Sequence, residues 1–251
     1  MVPEPPPADI LRPLIRSMKK GLFMDNASKP NPMIELSITL IIPSIILMKL
    51  SGAEDLGTVN ALLLALAFPF SWGVRSLWRE RKVNMLAVLG LVSILLTGGI
   101  GLLQLDTHWL AVKEAAIPGL VGLVVVISAF TKRPLVRVLL FSPRLMNVDL
   151  IQENLRQRGN EGIFEARLKI MTWMLGGSFL FSSTMNYFLA TWIVNSPAGT
   201  PAFNEELGRM NLLSYPVIAL PSMLIIIAVF YYLSRTIHEL AGLKLTEAVK
   251  H

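Results

Sequence analysis

An all-α polytopic membrane bundle of six transmembrane helices, both termini cytoplasmic, is the fold this sequence predicts, and three observations carry the prediction. The 251-residue chain is 53% hydrophobic and only 16% charged, with a mean hydropathy of +0.57, whereas a water-soluble domain is about a quarter charged. The charges leave long uncharged runs between Lys82 and Asp106, Lys169 and Glu205, and Arg209 and Arg235, each ample for the roughly 20 residues that cross a bilayer. The basic residues are also one-sided. Of the 23 Lys and Arg, all but Lys49, Lys113 and Arg209 fall in segments that share one face of the predicted topology, which the positive-inside rule assigns to the cytoplasm.

Residues 1–32 read as a cytoplasmic tail. MVPEPPPA at its start lacks the apolar content for a fold. ADILRPLIRSMKKG (residues 8–21) then sets Ile10, Leu11, Leu14, Ile15 and Met18 at helical spacing against Arg12, Arg16, Lys19 and Lys20. Asp9 is placed to cap this helix and Gly21 to stop it. Such an amphipathic helix lies on anionic lipid, each basic residue contributing up to about 1 kcal/mol.

Residues 33–251 read as the membrane domain. Its predicted spans are 33–50, 56–74, 84–104, 109–130, 168–194 and 211–234, with a cytoplasmic loop over 131–167. The first span is the weakest, with Glu35 in its first turn and Pro43 near its middle. Pro43, Pro69, Pro118, Pro216 and Pro221 bend or break four of the spans, which membrane helices tolerate when neighbours satisfy the freed carbonyls. In the loop, TKRPLVRVLLFSPRLM (131–146) is a second interfacial stretch. NVDLIQENLRQRG (147–159) is a short helix, with Asn147 as cap and Gly159 as stop, leading into a further helix that continues as span five. Ser93, Thr97 and Gly101, four residues apart, and Gly119-x-x-Gly122 are close-approach seams.

Function classes narrow by exclusion. Without cysteine there are no disulfides or thiolate metal sites. The net charge of +6 follows the span ends, as topology determinants do, so no nucleic-acid partner is expected. Phosphate-loop, nucleophile-elbow and zinc-helix motifs are missing, His238-Glu239 being followed by Leu-Ala-Gly. Asp106 and His108 are too few for a metal site. The reading is therefore non-enzymatic, without metal or cofactor.

Candidate chemistry sits in LAVKEAAIPGLVGL (110–123). Trp109 marks an interface, so Lys113 and Glu114 lie about 6 Å inside it at 1.5 Å per residue. Residues at i and i+1 point in different directions, so no internal ion pair is expected, and Lys113 has the reach to snorkel outward. Glu114, with a shorter stem, is a functional candidate by its depth. Thr97, Gln104, Asn186, Asn211, Ser214 and Tyr215 fall in the same half of the bilayer. Together with Lys113 and Glu114 they form a predicted outer polar cluster, either a lined site or interhelix hydrogen bonding.

From span two to span five, about half the chain, the sequence resembles the intracellular septation protein A family of bacterial inner-membrane proteins. The matching pieces are the basic turn Arg81-Lys82-Val83, the charged entry of span four at Lys113, the run Lys132-Arg133-Pro134-Leu135-Val136-Arg137, Trp173, and Asn186-Tyr187. Lys113-Glu114-Ala115-Ala116-Ile117-Pro118 departs from the family's Trp-Lys-Pro-Thr, and residues beyond 195 have no counterpart. The chain also resembles bacterial multi-pass proteins loosely grouped with transporters. The septation resemblance implies an inner-membrane factor in septation or envelope synthesis. It also implies division or envelope-synthesis membrane proteins as partners, alongside anionic lipid on the cytoplasmic side. The alternative is a small-solute or lipid transporter using Glu114 in the outer polar cluster.

Overall fold

A computed structural model describes residues 32–80, 85–131, 134–139 and 146–249. The predicted amphipathic helix in the N-terminal tail lies outside them. The described chain is helical almost throughout, with one isolated antiparallel bridge between Met146 and Val249. It begins with α1 (Pro32–Leu36), a π-helical turn over Ser37–Ile41 and α2 (Ile42–Lys49). Then follow α3 (Gly57–Glu80), α4 (Met85–Leu102), α5 (His108–Ser128) and the short α6 (Leu135–Leu139). The second half holds α7 (Val148–Gln157), α8 (Glu161–Ile193), α9 (Pro201–Ser214), a π-helical turn over Tyr215–Ala219, α10 (Leu220–Ala241) and α11 (Leu245–Ala248).

The count of six spans is not sustained. Among the described residues, three helical stretches are long and apolar enough to cross a membrane: Gly57–Arg75, His108–Ser128 and Pro201–Ala241. Low charge density suggests six spans, but crossing a bilayer requires sustained apolarity, and the two differ here. The first predicted span is divided by a π turn into short pieces. The third is described as a shorter apolar helix over Val88–Leu102. The fifth belongs to the 33-residue α8, whose uncharged stretch is diluted by Gly, Ser, Thr and Asn. The sixth is the second half of one 41-residue stretch that also takes in residues 201–210, read from sequence as a loop. The chain is thus a multi-pass, largely helical membrane protein. Large side chains such as Leu123, Val124, Ile127, Leu224 and Phe230 stand exposed as its lipid-facing surface.

Other local readings hold. α7 starts after Asn147, though the Asn147 side chain makes no capping hydrogen bond, and ends before Gly159, which has φ +68°; α8 then runs unbroken into the membrane part. Both π turns end two residues before a proline, Pro43 and Pro221. Ile42 N–H donates to the Ser37 carbonyl and Leu220 N–H to that of Tyr215, five residues back, the wider loop that accommodates a ring unable to donate.

Packing is organised around two cores. The first joins α2, α3, α4, α5, the end of α8 and α9 around Leu47, Leu62, Leu110, Phe203 and Leu207. The second lies toward the other end and joins α6, α7, the start of α8 and the end of α10 around Val136, Ile151, Leu168, Leu233 and Ile237. Charged and polar links surround this second core. Arg137 Nη1 donates to Glu165 Oε1 at 2.5 Å, Arg167 and Arg235 both pair with Glu239 at 2.6 Å, and Asn160 Nδ2 donates to the Leu240 carbonyl at 2.9 Å.

Between the cores, α5 and α8 approach closely through small residues. A Cβ on Gly176 would lie 2.5 Å from Val126 Cγ2, and one on Gly122 3.1 Å from Leu180 Cδ2, whereas one on Gly177 meets nothing within 4 Å. Neighbouring substitutions should therefore have opposite signs. Gly176→Ala is expected to lose about 1–3 kcal/mol through overpacking, and Gly177→Ala to gain up to about 1 kcal/mol from helix propensity. Reversible unfolding in mixed micelles measures both; equal effects would rule out the tight α5–α8 contact.

Candidate functional site

The site is built where α5 leaves the turn after α4. Gln104 takes a left-handed conformation (φ +52°), and the Asp106 carboxylate accepts from His108 N–H at 2.7 Å, starting α5. Five residues further on, Lys113 is 8% exposed. Its Nζ donates to Thr97 Oγ1 at 2.7 Å and Ser93 Oγ at 3.2 Å, and pairs with Glu114 Oε1 at 2.6 Å. The ammonium's three donors thus meet three acceptors.

Two expectations are corrected here. Lys113 and Glu114 do form an ion pair, because the four-carbon lysine stem bridges the angle between adjacent helix positions. Nor does Lys113 snorkel outward. Its head group points to Ser93, about 13 Å along α4 from Leu102 at 1.5 Å per residue, because two hydroxyls on one face of α4 offer it partners within the protein. The Ser93–Thr97–Gly101 seam serves two purposes. A Cβ at Gly101 would meet Leu62 of α3 at 2.5 Å, while Ser93 and Thr97 receive the lysine. Thr97 Oγ1 also donates to the Ser93 carbonyl at 3.0 Å.

One turn below, Pro118 cannot donate to the Glu114 carbonyl. The loosened turn is supported from α8, where Ser183 Oγ donates to the Ala115 carbonyl at 2.7 Å. A side chain with a counter-charge, beside a proline and within the candidate span His108–Ser128, is an ionisable group at membrane depth with all its partners named.

The other predicted cluster members lie elsewhere. Asn186 Nδ2 donates to Ser182 of its own helix at 2.8 Å, and Ser214 Oγ to the Asn211 carbonyl at 2.7 Å. Tyr215 is exposed in the π turn, and Gln104 is exposed beside Gly199. Among the described residues no hydrogen bond joins any of these five to Lys113 or Glu114. The predicted eight-residue cluster therefore contracts to Lys113, Glu114 and Thr97, joined by Ser93.

Of the motif residues, Arg81, Lys82, Lys132 and Arg133 fall outside the described residues. Pro134 is buried ahead of α6, and Arg137 reaches Glu165. Trp173 stacks edge-on with Phe130 at 5.4 Å between ring centres, and Tyr187 with His108 at 6.4 Å. A concavity of about 180 Å³ opens beside Arg137, lined also by Gln152, Glu161 and Glu165. No group of three His, Asp or Glu suited to a metal occurs among the described residues.

Sequence reasoning missed two polar anchors in residues 195–206. Glu206 accepts from the Asn195 and Ser196 backbone N–H groups at 2.9 and 2.8 Å and from Ser196 Oγ at 2.8 Å, closing the turn between α8 and α9. Asn204, fully buried, donates to Ser51 Oγ at 3.0 Å and the Thr58 carbonyl at 2.9 Å. The signal was Thr200-Pro201, an N-cap followed by a proline at the first helical position, with Thr200 Oγ1 accepting from Phe203 N–H at 3.2 Å.

Comparison of the chain with protein-family models, with curated proteins and with solved structures gives no match.

The pair makes an asymmetric prediction. Glu114→Gln leaves a buried ammonium without counter-charge and should cost about 3 kcal/mol. Lys113→Met leaves the partly exposed Glu114 in contact with solvent and should cost less. The double variant should resemble Lys113→Met alone. Micellar unfolding of all three decides it, and equal losses for the two single variants would refute the assignment.

Proposed function

We propose that this membrane protein is a non-enzymatic factor in septation or envelope synthesis in a bacterial inner membrane. The observation that carries the reading is the second core. Here α6, α7, the start of α8 and the end of α10 fold around an apolar centre edged by ion pairs and attached to the membrane helices. A helix end that only had to leave the bilayer would not require Arg137–Glu165, Arg167–Glu239, Arg235–Glu239 and Asn160–Leu240 links among three elements, α6, α8 and α10. Such an assembly presents a fixed surface to other membrane proteins. Exposed Arg156, Arg158 and Lys169 on it suit anionic head groups, at about 1 kcal/mol per basic residue. The resemblance of Pro134, Arg137 and Trp173 to septation-family positions supports the same surface, since Arg137 is one of its ion-pairing residues.

A second reading, transport of a small solute or lipid, is favoured by Lys113 and Glu114 within a candidate span. The two readings part at Glu114. In cells lacking the protein, septum spacing and osmotic survival should be restored by wild type and by Glu114→Gln alike. The charge reversals Arg167→Glu with Arg235→Glu should fail to restore them at equal membrane levels. Rescue by wild type alone, with Glu114→Gln present but inactive, would replace the scaffold reading with transport. Normal septa without the protein would remove the septation reading.

A further inference from the structure

The end of α5 fixes a depth for the start of α8. α5 forms the candidate span His108–Ser128, and just past its last residue Phe130 stands 75% exposed. Trp173 of α8, 48% exposed, packs edge-on against it with ring centres 5.4 Å apart. Aromatic rings gather where hydrocarbon gives way to head groups. Two lengths support that boundary. Trp109 to Phe130 along α5 is about 32 Å, and Trp173 to the exposed Trp192 along α8 about 29 Å, at 1.5 Å per residue. The hydrocarbon core of a bilayer is about 30 Å thick. The two helices run antiparallel, with Tyr187 against His108 toward the other end, so their rings share the same two levels.

Lys169 stands four residues before Trp173, on the same side of α8 and about 6 Å further out. That depth falls within the head-group layer, about 5–8 Å deep on each side. Lys169 is exposed, and among the described residues no carboxylate pairs with it. Its neighbours are engaged, Arg137 by Glu165 and both Arg167 and Arg235 by Glu239. The Trp173 indole N–H has no hydrogen-bond partner among the described residues and is a second donor at this level. The other exposed cations of the second core are set back. Leu155 of α7 lines a concavity with Glu161 and Phe164, five to eight residues before Lys169 and so about 8–12 Å further out. Arg156 and Arg158 thus stand roughly one screening length beyond Lys169, about 10 Å at 0.1 M salt. Arg158 is also engaged, its guanidinium filling the space that a Gly242 Cβ would take.

We infer that Lys169 and the Trp173 indole, backed by Phe130, bind the phosphate of an anionic phospholipid at this boundary. The site narrows the head-group contact proposed for the second core to one of its three cations and rests on that contact. The septation role is read separately, from septa.

The chain has no cysteine, so a fluorophore on Ile170→Cys, exposed beside Lys169, reports on adjacent lipid in the full protein. In phosphatidylcholine vesicles, brominated phosphatidylglycerol should quench it as though enriched about fivefold over brominated phosphatidylcholine at equal mole fraction, the factor that 1 kcal/mol represents. Raising the salt to about 1 M, where the screening length is about 3 Å, should remove the preference. Lys169→Gln should also remove it, and Lys169→Arg should keep it. The same fluorophore on Leu224→Cys of α10 should show none. Equal quenching by both lipids at Ile170→Cys, or the same preference at Leu224→Cys, overturns the inference. A preference that survives Lys169→Gln overturns it too. If that preference then falls with Arg156→Gln and Arg158→Gln, the head-group contact of the second core stands, carried by α7 instead.

Discussion

The close packing of α5 on α8 is the constraint on which the rest depends. In a bilayer the lipid is as apolar as a leucine side chain, so helices associate through fit and hydrogen bonds rather than exclusion from water. Gly119, Gly122 and Gly176 let the two backbones approach, and Ser183 adds a hydrogen bond to the Ala115 carbonyl. Ala115, Gly119, Gly122 and Val126 thereby mark the face of α5 turned to α8. Lys113 lies two residues before Ala115, about 200° around the helix, and so on the opposite side. That side meets α4, where Ser93 and Thr97 receive the ammonium. The lysine is buried because glycines elsewhere on its helix fix the rotation.

The same logic separates the two cores. In the first, apolar side chains pack around a few polar groups, among them Asn204 on Ser51 and Thr58. In the second, an apolar centre is ringed by carboxylate–guanidinium pairs with partial solvent access. Individually such pairs contribute little, about 0–1 kcal/mol, so the apolar centre holds the assembly while the charges set its register. Glu239 receives both Arg167 of α8 and Arg235 of its own helix, tying the start of one long helix to the end of another.

Sequence reading succeeds where a local signal decides the outcome. Gly159 stops α7 because a left-handed residue acts over one turn, whereas Asn147 stands at the start without a side-chain capping bond, its carbonyl accepting from Ile151 N–H. The continuous α8 is legible because nothing between Glu161 and Ile193 breaks a helix. It fails where rotation or neighbours decide. The rule that adjacent helix residues diverge separates Lys113 from Glu114, but it ignores the length of a lysine stem. Depth alone gathers Asn186, Asn211 and Ser214, yet their partners are their own helices, because depth without rotation does not define a site. The six-span count fails for a compositional reason, since a run without charge can still be rich in Ser, Thr, Asn and Gly. The Lys113 acceptors are visible as Ser93 and Thr97, but four-residue spacing by itself signals only packing.

The π turn at Tyr215–Ala219 explains how one long helix serves both cores. Between Phe203 in the first core and Leu240 in the second, an uninterrupted α-helix accumulates about 100° of rotation beyond whole turns. Its buried stripe would then leave the side it started on before reaching Val229, Leu233 and Ile237. A π turn holds one additional residue within a turn, taking up about that same rotation, so the residues buried before and after it lie on one side. The prolines help to place this correction. Pro216 lies within the wide turn and Pro221 just after it, where each lacks the N–H that a regular ladder requires. Ser44 packs opposite Gly208, and Ser51 opposite Asn204. The prolines that bend the last span in the sequence thus help one chain direction to bury residues in two cores.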